Sequence, residues 1–124
     1  MGKALHDLRI PIGSVRSSPT YSALETLRLA RFGAPQIFVE LGDNGQSMLG
    51  GTAAQAAWLQ KQVAQFPSGT NTIVVTHLPN IIGAFPQLAS GLADGEVLIF
   101  GPDAKGTAIL VARVKIDEWP AMRF

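Results

Sequence analysis

Ile12-Gly13-Ser14-Val15-Arg16-Ser17-Ser18-Pro19-Thr20-Tyr21-Ser22-Ala23-Leu24-Glu25-Thr26 is the stretch whose reading decides the fold. Ile12 to Val15 reads as a short buried strand ending in a polar cluster, Arg16-Ser17-Ser18, ahead of Pro19. Ser18 predicts a helix N-cap, with proline at the first helical position. Leu24, Leu27 and Ala30, spaced by three, carry the helix to a stop at Gly33 and Pro35. A strand passing through a polar turn into an amphipathic helix is the repeating unit of an α/β layered sheet.

The same rhythm continues outward. Leu5, Leu8 and Arg9 read as the end of a preceding helix. Gln36 to Glu40 predicts a second strand on Ile37, Phe38 and Val39, emptying into a glycine-rich loop from Leu41 to Gly51. Thr52 is placed to cap a helix through about Gln65, with Ala56, Leu59 and Val63 on its apolar face and Pro67 to Asn71 closing it. Thr72 to Thr76 is the strongest strand, because Ile73, Val74 and Val75 are β-branched, and it delivers His77 at its carboxyl end. Pro79 opens a short helix with Ile81, Ile82 and Phe85, and Gly91 to Gly95 makes a turn. Glu96 to Phe100 and Thr107 to Ile116 then predict two strands joined as a hairpin through Pro102 to Gly106. The expected architecture is a mixed, mostly parallel sheet between helix layers, with Trp119 a packing anchor in the tail.

The 124 residues, 47% of them apolar, suit a single domain over residues 1–124 with one continuous core. A formal charge of +1 from interspersed acids and bases lacks the one-sided basic excess that a nucleic-acid backbone demands. The absence of cysteine excludes disulfides, thiolate catalysis and cysteine-bound metal. No apolar run approaches the ~20 residues of a membrane span, and His6, Asp7 and Arg9 interrupt what an export signal requires. The expectation is a soluble protein, cytoplasmic by default, that binds neither nucleic acid nor membrane.

Three polar points fall at carboxyl ends of predicted strands, where open α/β sheets place their chemistry: Arg16-Ser17-Ser18, Glu40, and Thr76-His77. A helix N-terminus after a strand offers open backbone N–H groups to an anion, and Arg16, Ser17 and Ser18 complement one there. Ser18 by itself reads equally as a cap. His77 can serve as base, acid or cationic anion binder, or can be structural. Glu40 can donate a proton if held near His77, or stand as a solvated carboxylate. His6 and Glu25 read as incidental and surface residues. No histidine pair at ligand spacing points to a metal, and the glycines at 42, 45, 50 and 51 lack the lysine and spacing of a nucleotide loop, so no cofactor is expected.

The Ile12–Thr26 stretch resembles the second signature of the histidine phosphatase, or phosphoglycerate mutase-like, superfamily: a strand, then Ser-Ser-Pro, then a helix of Arg-Ala-x-Glu-Thr form. Thr72-Ile73-Val74-Val75-Thr76-His77 resembles the last signature, an apolar strand ending in Thr-His. With Glu40-Leu41-Gly42 and Asp94-Gly95-Glu96 in order, the similarity runs from Met1 to Trp119. It implies a phosphoryl-transfer site in which a histidine of an Arg-His-Gly motif attacks phosphorus, a second histidine and arginines hold the transferring group, and an acid protonates the leaving oxygen. By position His77 corresponds to the second histidine and Glu40 to the acid, and the partner implied is phosphate or a phosphorylated small molecule. Positive charge placed around the equatorial oxygens and proton delivery to the leaving group are what such a transfer needs.

This sequence departs from the pattern twice. No Arg-His-Gly occurs anywhere in it, and Ser22 stands where the Ser-Ser-Pro helix carries arginine. The resemblance therefore implies an N-terminally truncated domain without its first, central strand, which was expected to leave open edges on the Ile12 and Thr72 strands and to drive a homodimer. Three functions follow as expectations: a catalytically impaired phosphatase-like domain with a weak anion pocket, an assembly module using open sheet edges, and a repurposed hydrolase with His77 as general base.

Overall fold

The computed structural model describes residues 2–42, 51–93, 95–115 and 118. Along the chain they form α1 (Gly2–Asp7), β1 (Ile12–Ser17), α2 (Tyr21–Ala30), β2 (Gln36–Ile37), a 3-10 turn (Val39–Leu41), α3 (Gly51–Val63), β3 (Asn71–Val75), α4 (Leu78–Ala84), β4 (Val97–Pro102) and β5 (Ala108–Val114). The predicted α/β alternation is present, and the boundaries move for local reasons. β1 runs two residues further than the Ile12–Val15 strand read from sequence, because the Ser18 N–H donates to the Val75 carbonyl at 2.9 Å and prolongs the pairing of β1 with β3. That holds Ser18 extended, so the N-cap of α2 is Thr20 rather than Ser18. Arg31 ends α2 in the left-handed conformation (φ 61°), its N–H donating to the carbonyls of Leu27 and Arg28. The strand predicted over Gln36–Glu40 shortens to two residues. After the Phe38 N–H bonds Ser17 O at 3.0 Å the chain coils, and Glu40 lies in the 3-10 turn instead of at a strand end.

β1 is the middle of a three-stranded parallel sheet in the order β2-β1-β3. Its partners in β3 step from Ile12–Asn71 to Ser14–Thr72, leaving Gly13 as an extra residue in a bulge. A Cβ on Gly13 would run into Thr70 Oγ1 and lie 2.8 Å from Thr70 Cβ, a clash that glycine avoids in the bulge. The gap expected between the Ile12 and Thr72 strands is not there. β1 and β3 pair directly, so the case for a homodimer built on those two open edges loses its footing. The break lies elsewhere, since β4 and β5 form a separate antiparallel hairpin. Its turn closes as predicted, with Asp103 Oδ1 accepting from the N–H groups of Lys105 and Thr107, and Gly106 at φ 81°.

Adjacent residues of β3 point to opposite faces, which separates the two helix layers. Ile73 joins Leu5 and Val114, with Ile10, Phe32, Val97 and Ile99, on the side of α1. Val74 joins Leu41, Leu59 and Ala84, with Phe38, Trp58 and Phe85, on the side of α3 and α4. His6 ties α1 to α2 through the Ala30 carbonyl at 2.9 Å and stacks on Phe32. Glu25 pairs with Arg28 on the surface of α2. Among the described residues no helix is long and apolar enough to cross a membrane. Trp119, Asp94 and most of the glycine-rich loop, residues 43–50, lie outside the described residues.

Candidate functional site

Parallel strands β1 and β3 bring their carboxyl ends together, and with them the Ser17-Ser18-Pro19-Thr20 corner and Thr76-His77. His77 leaves β3 in extended conformation (φ −107°, ψ 152°) and caps α4, its carbonyl accepting from the N–H groups of Asn80 (2.9 Å) and Ile81 (3.2 Å). The ring is half-buried. Its Nε2 lies 3.0 Å from Ser18 Oγ and 3.2 Å from Thr20 Oγ1. Ser18 Oγ in turn donates to Thr20 Oγ1 at 3.2 Å and accepts from the Thr20 N–H at 3.2 Å.

This arrangement serves both protonation states of the ring. With Nε2 unprotonated, Ser18 donates to Thr20 and the Thr20 hydroxyl donates to Nε2; with Nε2 protonated, both oxygens accept from it. Ser18 Oγ stands at the separation from His77 of a nucleophile from its base, yet Ser18 is 0% exposed and no substrate can reach it. Its part is to hold the ring. Thr20 also opens α2, where the first N–H groups have no partner within the helix.

A buried amide network fixes the third side. Thr76 Oγ1 donates to the Leu41 carbonyl at 2.8 Å, and Asn80 Nδ2 donates to Thr76 Oγ1 (2.8 Å), Gly42 O (2.8 Å) and Leu41 O (3.2 Å). Gln55 Nε2 donates to Gly42 O (3.0 Å) and Glu40 O (3.2 Å). Asn80 is 7% exposed and Gln55 2%. The Glu40-Leu41-Gly42 backbone is thereby fastened to the residues flanking His77, and Gly42 also lies against Pro19.

The predicted site residues separate accordingly. His77 and Ser18 come into contact. Ser17 is fully buried, its hydroxyl donating to the Ser18 carbonyl at 2.8 Å, so it shapes the corner from beneath. Glu40 has its backbone anchored in the same region, and among the described residues its carboxylate has no hydrogen bond or ion pair. Arg16 is not brought to His77. Strand alternation turns it to the α3 side, where its guanidinium bonds Gln62 Oε1 and lines a cavity of about 190 Å³ with Ser14, Gln65, Phe66, Pro67 and Thr72. Thr76 was singled out only as the neighbour of His77, and Thr20, Gln55 and Asn80 were not singled out from sequence. Thr20 follows the Ser-Ser-Pro corner directly, and Asn80 lies three residues, about one helical turn, beyond His77; only these two carried a local signal. Among the described residues no three His, Asp or Glu side chains come together as metal ligands.

No family model matches this chain, and no curated protein matches it in sequence. Among solved structures it is similar to the protein histidine phosphatase SixA complexed with tungstate, at 18% identity and a TM-score of 0.61, over 92% of this chain and 75% of that one. The chain thus has the α/β fold of a histidine phosphatase.

Proposed function

We propose that this chain is a histidine phosphatase-like domain that receives phosphate, or the phosphoryl group of a small molecule, at His77, and that its own phosphomonoester hydrolysis is weak. The observation that carries the reading is His77 at the carboxyl end of β3, clasped by Ser18 and Thr20 at the opening of α2. It is supported by the likeness to a histidine phosphatase whose structure holds tungstate, an oxyanion of phosphate-like shape. His77, the Thr20 hydroxyl and the open N–H groups of α2 are the donors for an anion. Ser17 and Ser18 act by position, and Glu40, on its anchored turn, is the acid for a leaving oxygen. Arg16 joins only if its guanidinium releases Gln62. Weak catalysis follows from the missing Arg-His-Gly and from Ser22 in the place of an arginine, because nucleophile and phosphate clamp stabilise the same transition state.

The test follows the His77 imidazole resonances while orthovanadate or phosphate is added to millimolar concentration. A saturable shift that is lost in Thr20→Val supports the pocket. Unresponsive resonances in a folded chain refute it. With an aryl phosphate, turnover near ~10 per second that vanishes in His77→Ala overturns the claim of weak catalysis.

A further inference from the structure

Arg16 is the one charged side chain of β1, and the cavity it lines holds no counter-charge. Ser14 and Arg16, two residues apart, share the α3 face of the sheet, and Thr72 of β3 is the register partner of Ser14. These strand residues supply one side of the cavity of about 190 Å³, and Gln65, Phe66 and Pro67, where the chain has left α3, supply the other. Arg16 is half-buried, and its bond is to a neutral acceptor, Gln62 Oε1. Its Nε is closed off from solvent without any acceptor, the only cationic nitrogen so placed among the described residues. The carbonyl end of α3 lends the guanidinium at most about half a charge. A buried charge is ordinarily paired, because taking it from water unpaired is costly. The side chains of Ser14, Thr72 and Gln65 likewise make no hydrogen bond among the described residues. One unmatched positive charge, two open hydroxyls and an amide thus line the same space as an aromatic ring.

We propose that this cavity is a second binding site, for a small organic monocarboxylate, with Arg16 as its anchor. A carboxylate there takes the guanidinium hydrogens that Gln62 leaves free, and a small turn of the planar fork brings Nε, which has no acceptor to lose, into the same two-point pair. The Ser14 and Thr72 hydroxyls donate to the remaining lone pairs. A single guanidinium matches a single negative charge, and the apolar body of the ligand lies against Phe66 and Pro67, which an inorganic anion leaves unused. Pockets for drug-sized ligands run to ~300–1,000 Å³. A volume of about 190 Å³ therefore selects an acid of few carbons or one ring. The site lies on the α3 face of the sheet, whereas His77 stands at the carboxyl edge, so the proposal is independent of the chemistry at His77.

The probe is benzoate, titrated into the whole chain while the Arg16 Nε–H resonance, the Ser14 and Thr72 amides and the His77 imidazole are followed; benzamide, of the same shape without the charge, and inorganic phosphate are the controls. The expected result is saturable binding that moves the Arg16, Ser14 and Thr72 signals and leaves His77 unmoved, at least tenfold weaker for benzamide and for phosphate. Arg16→Met keeps the stem, and its urea midpoint without ligand is expected to be no lower than that of the parent, because the charge it removes has no counter-charge. Benzoate then raises the midpoint of the parent and not that of the variant. Equal binding of benzamide makes the cavity a merely apolar one, equal binding of phosphate makes it a general anion site, and either overturns the proposal. A shift centred on His77 or the absence of binding does so as well, and a lowered midpoint for Arg16→Met shows that the fold already satisfies the guanidinium and overturns it equally.

Discussion

Asn80 and Gln55 reach the same carbonyl, and that shared acceptor predicts a coupling that neither residue shows alone. The Asn80 amide has two N–H groups and three acceptors, of which Thr76 Oγ1 and Gly42 O, both at 2.8 Å, are the better. In Asn80→Ala the Leu41 carbonyl keeps Thr76 and the Gly42 carbonyl keeps Gln55, so nothing is orphaned. Two hydrogen bonds at ~0.5–1.5 kcal/mol each make the expected loss ~1–3 kcal/mol. Gln55→Ala removes two bonds as well and leaves Gly42 O with Asn80, but it also removes Gln55 Oε1, a buried oxygen with no partner among the described residues, so its loss is expected to be the smaller of the two. The double variant strips Gly42 O of both donors known among the described residues, inside a buried turn. An unsatisfied buried carbonyl costs ~1–3 kcal/mol beyond the lost bonds, so the double variant is expected to exceed the sum of the singles by that amount. Urea unfolding of the four proteins in the cycle measures it. Additivity within ~0.5 kcal/mol would show that the Gly42 carbonyl is not held by these two amides and that the turn carrying Glu40 is anchored otherwise.

Three further outcomes are expected. Glu96 accepts from Arg113 Nε at 2.6 Å and from the Ala93 N–H at 3.0 Å, and these bonds, the Arg113 one foremost, hold its carboxyl down at about 2 from an ordinary 4.5. A depressed folded-state value makes this contribution complete above pH 4.5 and lost as pH falls towards 2, so acid unfolding of Glu96→Gln is flatter over that window than that of the parent chain. Gly13→Ala forces a Cβ into Thr70 and is expected to cost ~1–3 kcal/mol in thermal or urea unfolding, with most of the loss recovered in Gly13→Ala/Thr70→Gly; an unchanged midpoint for the single variant removes the steric account of the bulge. Ser18→Ala takes away a fully buried partner of the His77 ring while leaving Thr20 in place, so at a given vanadate concentration the shift of the His77 resonances shrinks several-fold without being abolished; an unaltered titration shows that Ser18 does not hold the ring.

Local chemistry was enough to read most of the elements. The β-branched run Ile73-Val74-Val75, the proline after His77 and the helix spacing of Leu24, Leu27 and Ala30 act over a few residues, and the strands and helices stand where those signals put them. The same signals placed Ser18 and His77 at carboxyl ends of strands, where they do meet. Long-range pairing decided the rest. That Ser18 is a clasp for His77 rather than a helix cap follows from its N–H binding Val75 across the sheet, a partner 57 residues away that no local pattern contains. Arg16 and Ser17, neighbours in the chain, part because strand alternation sends one to the α3 layer and the other beneath the corner. Asn80 and Gln55 became site residues only when Gly42 was folded between them. The position of the sheet break was invisible for a similar reason. The apolar runs of β3 and β4 announce central strands alike, and which edges remain open depends on strand order, which tertiary packing alone sets.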